Sequence, residues 1–124
     1  MRKIERQLGK IVGKCLDGKY TKSFEKRLSK RDVVEYDHDR SQVTVFLWNS
    51  PIVRVNTKER RMIVQSCGHE SNTTKSRLNS FMQTFGSQVG GIYQKNWVWY
   101  RWEREPLTET DKSVEFNGKY EFSL

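Results

Sequence analysis

Residues 66–102 read SCGHESNTTKSRLNSFMQTFGSQVGGIYQKNWVWYRW. Leu78, Phe81, Met82 and Phe85 fall at i, i+3, i+4 and i+7, which predicts a helix over about residues 73–85 with one apolar face. Ser71, Asn72 and Thr73 stand before it as candidate N-caps, whose side-chain oxygens accept orphan amide protons. Gly86 closes it. The period then changes. Residues 88–94 and 97–102 read as two strands of a hairpin turning at Lys95-Asn96. Gly90-Gly91, inside the first of these strands, predicts a bulge or a close backbone approach.

Upstream of this stretch the pattern has period two. Val33, Val34 and Tyr36 suggest a strand, and DHDRS a turn. Residues 42–48, QVTVFLW, form a strong strand rich in β-branched and aromatic side chains. Residues 52–56 and 61–66 follow as strands after short turns, and short connections join antiparallel neighbours. Residues 2–16 read as an amphipathic helix. Ile4, Leu8, Ile11, Val12 and Cys15 line one face, and Arg2, Lys3, Arg6, Lys10 and Lys14 the other. Asp17-Gly18 stops it. Phe24 and Leu28 suggest a second short helix. Downstream, residues 108–112 read as a polar linker. The tail SVEF-NG-KYEFSL reads as a hairpin, because Asn-Gly favours the left-handed two-residue turn.

The expected fold is therefore α+β: an antiparallel sheet, built from a meander and a hairpin, packed by one central helix. The helix over residues 2–16, within a basic N-terminal helical segment (1–31), packs separately or extends outward from an α+β core (32–104). A linker and C-terminal hairpin (105–124) complete one globular domain. A length of 124 residues suits that size. Only 35% of residues are hydrophobic, but 12% are aromatic, and large rings bury enough area each for a core. The sequence has no apolar run of about 18 residues, which argues against a spanning helix. MRKIERQLGKIVGK has no apolar h-region, so no secretory signal is expected. Cys15 and Cys67 then read as free thiols in a reducing cytoplasm.

The net charge of +8 is unevenly placed. Residues 1–31 carry eleven Lys/Arg against three Asp/Glu, whereas residues 105–124 are net acidic. A basic end suggests an anionic partner. The alternative is that the charge serves solubility alone.

At SNTTKSRLN, within the order strand, strand, helix, strand, strand, the chain resembles a small domain of unknown function widespread in phages and plasmids. That family carries a Gly-x-x-Ser-x-Thr-Thr-Lys-x-Arg-Leu-Asn helix motif. The matching residues here are Gly68, Ser71, Thr73, Thr74, Lys75, Arg77, Leu78 and Asn79, followed by Ile92, Gln94, Lys95 and Trp97. Two positions depart from the pattern. The family's strand end reads Leu-His-Gly-Asn, but here it is Leu47-Trp48-Asn49-Ser50. His69 stands where an aromatic ring commonly follows the glycine. The resemblance implies no catalytic residue. It implies a mobile-element protein acting in the cytoplasm of a bacterial host.

Three groups of side chains are candidate contacts. Arg6, Lys10 and Lys14 lie on the cationic face of the first helix, suited to phosphates. Lys75 and Arg77, near the start of the second helix, suit phosphates as well. Their alternative role is to satisfy backbone groups and lock that helix onto the sheet. Trp97 and Trp99, with Lys95 beside them, offer a surface on which a base could stack. The alternative is that those rings are core. Cys67 and His69, with Cys15 and His38, match no zinc spacing. The sequence shows no Gly-rich phosphate loop, no Ser-His-Asp order and no paired carboxylates. Hence no enzyme, catalytic residue, cofactor or metal is expected. The first expectation for function is a non-enzymatic nucleic-acid-binding module, for DNA or RNA. The alternative is a phage-encoded inhibitor of a host defence protein. A membrane is not an expected partner, and a homo-oligomer is left open.

Overall fold

Ser71 starts the central helix: its Oγ accepts the Thr74 N–H at 3.1 Å, and α2 runs Asn72–Phe85. At its end the Gly86 N–H bonds the Met82 carbonyl at 2.9 Å. The N-terminal helix α1, Lys3–Leu16, is tied at its start by Glu5, whose Oε1 accepts the Arg2 N–H at 3.0 Å. At its other end the Gly18 N–H bonds Cys15 O and the Lys19 N–H bonds Lys14 O. Gly18, at φ +70°, supplies the left-handed residue that this paired closure requires.

The computed structural model describes residues 1–86, 90–105 and 110–124. The strands are β1 (Phe24–Arg27), β2 (Asp32–Asp37), β3 (Gln42–Leu47), β4 (Ser50–Asn56), β5 (Arg61–Gln65), β6 (Gly91–Lys95), β7 (Val98–Glu105), β8 (Thr110–Glu115) and β9 (Lys119–Ser123). They form two antiparallel sheets. The larger has the order β1-β2-β3-β4-β5-β9 and the smaller β6-β7-β8. Two helices on two antiparallel sheets make this an α+β fold, the class that the pattern predicted, but the meander and the β6–β7 hairpin, expected in one sheet, lie in two.

The period-two strands place Val34, Val43, Val45, Val53, Val55, Met62 and Val64 on the helix-covered face, all fully buried. Leu78, Phe81 and Met82 of α2 meet them, each at most 1% exposed. Leu8, Ile11, Val12 and Cys15 of α1 join the same core. The opposite sheet face carries Thr44, Arg54, Arg61 and Glu121 and is partly open to water. One covered and one wet face is the usual condition of an antiparallel sheet.

The structure differs from the sequence reading at several points. First, α1 neither packs separately nor extends outward: its apolar stripe rests on α2 and β3. Second, residues 24–27 form an edge strand paired to β2, not a helix. Phe24 there packs edge-on against Tyr20 (4.7 Å) and tilted against Tyr36 (5.6 Å), so ring packing overrides a weak helical spacing. Third, the tail is not a hairpin. β8 pairs with β7 and β9 with β5, so Phe116, Asn117 and Gly118 carry the chain from one sheet to the other. Phe116 N–H bonds Trp99 O in the small sheet, and Ser66 N–H bonds Gly118 O beside the large one, both at 2.8 Å. Gly118 has a positive φ (+85°) but Asn117 does not, so the two-residue hairpin turn is not formed. Fourth, the β6–β7 hairpin turns at Asn96-Trp97, both left-handed at φ +52° and +67°, one residue later than read.

The expected start of β6 at residue 88 and the linker residues 108–109 lie outside the described residues. Residues 110–112, read as linker, belong to β8. The close approach expected at Gly90-Gly91 is present: a Cβ on Gly90 would lie 2.1 Å from the Trp102 carbonyl oxygen.

Candidate nucleic-acid interface

Every one of the eleven Lys/Arg side chains in residues 1–31 is exposed. Of the three carboxylates in that segment, Asp17 and Glu25 are exposed, whereas Glu5 is buried at 2%. Every charged side chain that α1 shows to solvent is therefore a cation. Arg2, Arg6, Lys10 and Lys14 follow one another at i, i+4 spacing, a step of roughly 6 Å along the axis. Like charges at that spacing each cost about 0.2–0.5 kcal/mol in a helix. A structural role alone does not call for such a row.

Glu5 is turned inward by a partner. Arg77, 0% exposed, reaches from α2 between α1 and the large sheet. Its Nη1 donates to Glu5 Oε2 at 2.9 Å. Its Nε and Nη2 donate to the two oxygens of Asp32 at 2.8 and 3.2 Å. Ser76 Oγ donates to Glu5 Oε2 at 2.6 Å, and Ser29 Oγ to Asp32 Oδ2 at 2.7 Å. Burial pushes the Glu5 pKa up, but the bonds from Ser76, the Arg2 N–H and Arg77 outweigh it and hold the carboxyl below its usual range. Burial likewise opposes the Arg77 charge, and the bonds to Asp32 and Glu5 outweigh it and raise its pKa. Arg77 is thus saturated inside the protein, and no face of its guanidinium is open to a phosphate.

The other sequence-derived contacts fall as follows. Arg6, Lys10 and Lys14 share the open face of α1. Lys75 is half-buried and borders a shallow groove with Met1, Asn72, Asn79 and Gln83. Lys95 is exposed at the tip of the β6–β7 hairpin beside Trp97, which is 88% exposed. Trp99 is core, 2% exposed, with its ring 6.2 Å from Phe116. The structure therefore keeps Trp97 and withdraws Trp99 and Arg77 as surface contacts. Trp97 and Trp99 do not share a strand face, because Trp97 sits in the turn.

Sequence reasoning did not single out Trp48 as a contact, although it is 63% exposed. Nor did it single out Arg27, Lys30 and Arg31. Trp48 departed from the motif of the resembled family, and that departure was its signal. Both cysteines are free; Cys15 is buried and Cys67 exposed. Burial raises the Cys15 thiol to about 11. Among the described residues no cluster of three or more His, Cys, Asp or Glu is placed to hold a metal ion. No helix among them is long and apolar enough to cross a membrane.

A family model described as Kyanoviridae Gp96 protein matches residues 1–123. The chain belongs to the Kyanoviridae Gp96 protein family. That is a phage protein family, in line with the mobile-element origin that the sequence resemblance implied. No curated protein and no solved structure matches the chain.

Proposed function

We propose that this Gp96-family protein is a non-enzymatic module that binds nucleic acid inside the infected host, gripping phosphates with the open face of α1. The supporting observation is the charge sorting in residues 1–31. All eleven cations face solvent, and the one carboxylate of α1 is turned inward to Arg77. A surface with eleven exposed cations against the two exposed carboxylates Asp17 and Glu25 attracts a polyanion, and phosphate neutralisation releases counterions. Arg6, Lys10 and Lys14 carry the contact, and Lys95 with Trp97 adds a second point of it.

The test is the triple reversal Arg6→Glu, Lys10→Glu, Lys14→Glu. Exposed positions of this kind tolerate change at a cost of roughly 0.5 kcal/mol each or less, so the fold persists. Fluorescence anisotropy with labelled single- and double-stranded oligonucleotides, at several salt concentrations, reads the affinity. The wild-type protein is expected to bind with a steep salt dependence, with a slope of log affinity against log salt of about −0.9 for each duplex phosphate neutralised. The reversal should weaken every sequence alike and flatten the slope. Absence of binding at about 50 mM salt, where phosphate attraction is strong, overturns the reading.

A second reading has its own observation. Trp48 and Trp97 are large exposed rings, and tryptophan is enriched among the anchors of protein interfaces. An inhibitor that docks on a host defence protein would use them. Its binding would depend only weakly on salt and would be lost with the rings rather than with the lysines.

A further inference from the structure

The β3–β4 hairpin is closed by two residues, Trp48 and Asn49, both left-handed at φ +51° and +65°. Such turns favour Asn and Gly, and a bulky residue there is an outlier. The turn carries the indole off the end of the sheet. Below it the strand pairing slips between Val45 and Phe46, so Val45 faces Val53 and Phe46 faces Pro51. Ile52 is the extra residue of this bulge, and it is buried at 1% beside Val53 at 0%. The bulge thus re-aims an apolar side chain, a known use of the device.

The result is a cleft of about 450 Å³ between the hairpin tip and the loop leading into α2. Leu47, Ile52 and Thr74, all nearly or fully buried, line it from within. Trp48, His69, Glu70 and Ser71 complete its lining. His69 is fixed by a tight turn in which its N–H bonds Ser66 O at 2.9 Å. The volume lies within the roughly 300–1,000 Å³ of small-molecule sites. A cationic turn borders it. Trp48 N–H donates to Arg31 O at 2.8 Å, and Lys30 and Arg31 of that turn, with Arg27 at the end of β1, are exposed. Arg27 Nη1 in turn donates to Ser29 O and Lys30 O, which holds the turn in shape.

We infer that this cleft takes one unstacked base of a single-stranded nucleic acid, with the Trp48 indole as its stacking platform and the neighbouring phosphates on Arg27, Lys30 and Arg31. The inference rests on the nucleic-acid reading above and adds to it a preference for single strands. Its chemistry favours a base over a phosphate: Leu47 and Ile52 give the inner lining apolar surface, and the Glu70 carboxylate repels an anion. The rim groups His69 and Glu70 offer polar edges to a base, and every base has a face to stack. An aromatic wall beside a basic turn is the combination that single-strand sites use. A paired base is sequestered within the duplex stack and cannot enter.

The experiment compares three labelled probes by anisotropy: a ten-nucleotide oligothymidylate, an abasic strand of the same length, and a duplex. Oligouridylate repeats the first arm with the other sugar. The wild-type protein is expected to bind oligothymidylate or oligouridylate more tightly than the abasic strand, which presents phosphates alone. Trp48→Gly, which suits the left-handed turn, should weaken the base-bearing single strands about 5–150-fold. It should leave the abasic strand and the duplex as they were, and Trp48→Phe should restore most of the loss. Equal binding of base-bearing and abasic strands by the wild-type protein overturns the inference without any variant. So does a folded Trp48→Gly protein that binds oligothymidylate as the wild type does. In both cases binding to the duplex and to the abasic strand still supports the α1 reading. Failure of the wild-type protein to bind any probe overturns both.

Discussion

Replacing Arg77 by methionine tests whether the buried ion pairs hold α1 and β2 to the central helix. The change keeps an unbranched side chain but removes three charged hydrogen bonds, at 2.8, 3.2 and 2.9 Å, and strands two carboxylates that are each 1% exposed. Each such bond contributes roughly 1.5–3 kcal/mol, yet the loss is capped, because a stranded carboxylate can take up a proton instead. Protonating one group of ordinary pKa about 4 at pH 7 costs three units, or about 4 kcal/mol. Uptake of one proton therefore bounds the loss, and the expected cost at pH 7 is about 3–5 kcal/mol, the range found when one partner of a buried pair is removed.

The pH dependence gives this its sharpest form. In the wild-type protein Glu5 has a folded pKa below its unfolded value, so its stabilisation is present above about pH 4.3 and is lost as the pH falls through the folded pKa. In the Arg77→Met protein the bonds from Arg77 to Glu5 are gone, and burial, the largest influence on that carboxyl, raises its folded pKa. The folded state then binds more protons than the unfolded one, and stability rises as the pH falls from 7 towards 5, by up to about 1.4 kcal/mol per unit. Urea melts at pH 5, 6 and 7 measure both curves. A variant within about 1 kcal/mol of wild type at pH 7, or one with the wild-type pH dependence, would refute this account of the core. A triple variant with Glu5→Leu and Asp32→Leu added should regain most of the loss, since apolar replacement of a whole buried ion cluster is often neutral or stabilising.

Two further outcomes follow from the packing. Gly90→Ala places a methyl 2.1 Å from the Trp102 carbonyl oxygen and 2.4 Å from its ring, so the β6–β7 hairpin must shift; chemical denaturation should show a loss of about 1–3 kcal/mol or more. A thiol reagent should label Cys67, which is exposed, within the native protein, and Cys15 only on unfolding, because Cys15 is 2% exposed and its thiol is raised to about 11. Equal labelling rates under native conditions would contradict the buried placement of α1.

The core helix and the meander were legible because their periods are local. Leu78, Phe81 and Met82 announce one face by spacing alone, and residues 42–47 another. The motif shared with the resembled family turns out to be structural at several positions. Ser71 caps, Thr74 and Leu78 are buried, and Arg77 pairs with acids. Asn79 bonds both the N–H and the carbonyl of Ile92, at 2.6 and 3.0 Å, and so ties α2 to the small sheet. What escaped the sequence reading depends on long-range partners. Arg77 meets residues 45 and 72 positions away, and no local pattern distinguishes a paired arginine from a free one. A signal did exist. Glu5 is in phase with Leu8 and Val12 on the apolar stripe of α1, and Asp32 with Val34 and Tyr36 on the core face of β2. Two carboxylates in phase with core positions need a cation among them. The Asn117-Gly118 corner was misread for the same reason: turn chemistry is local, but which strand receives the chain is not.

Glu5 connects the interior of this protein to its surface. Placed outward on α1, it would answer the cations at an i, i+4 distance and lower the field of the helix. Placed inward, it closes the ion cluster with Arg77 and leaves Arg2, Arg6, Lys10 and Lys14 unopposed on that helix. The same rotation of α1 that buries Leu8 and Val12 makes this choice, so hydrophobic packing sets the electrostatic face. Glu5→Gln should therefore separate the two roles. It weakens the charge pairing with Arg77 and lowers stability, while the exposed charge of α1, and with it any phosphate affinity of the folded protein, stays as it was. A variant that lost stability and phosphate binding in parallel, at temperatures where it remains folded, would show that Glu5 shapes the surface directly and not through packing alone.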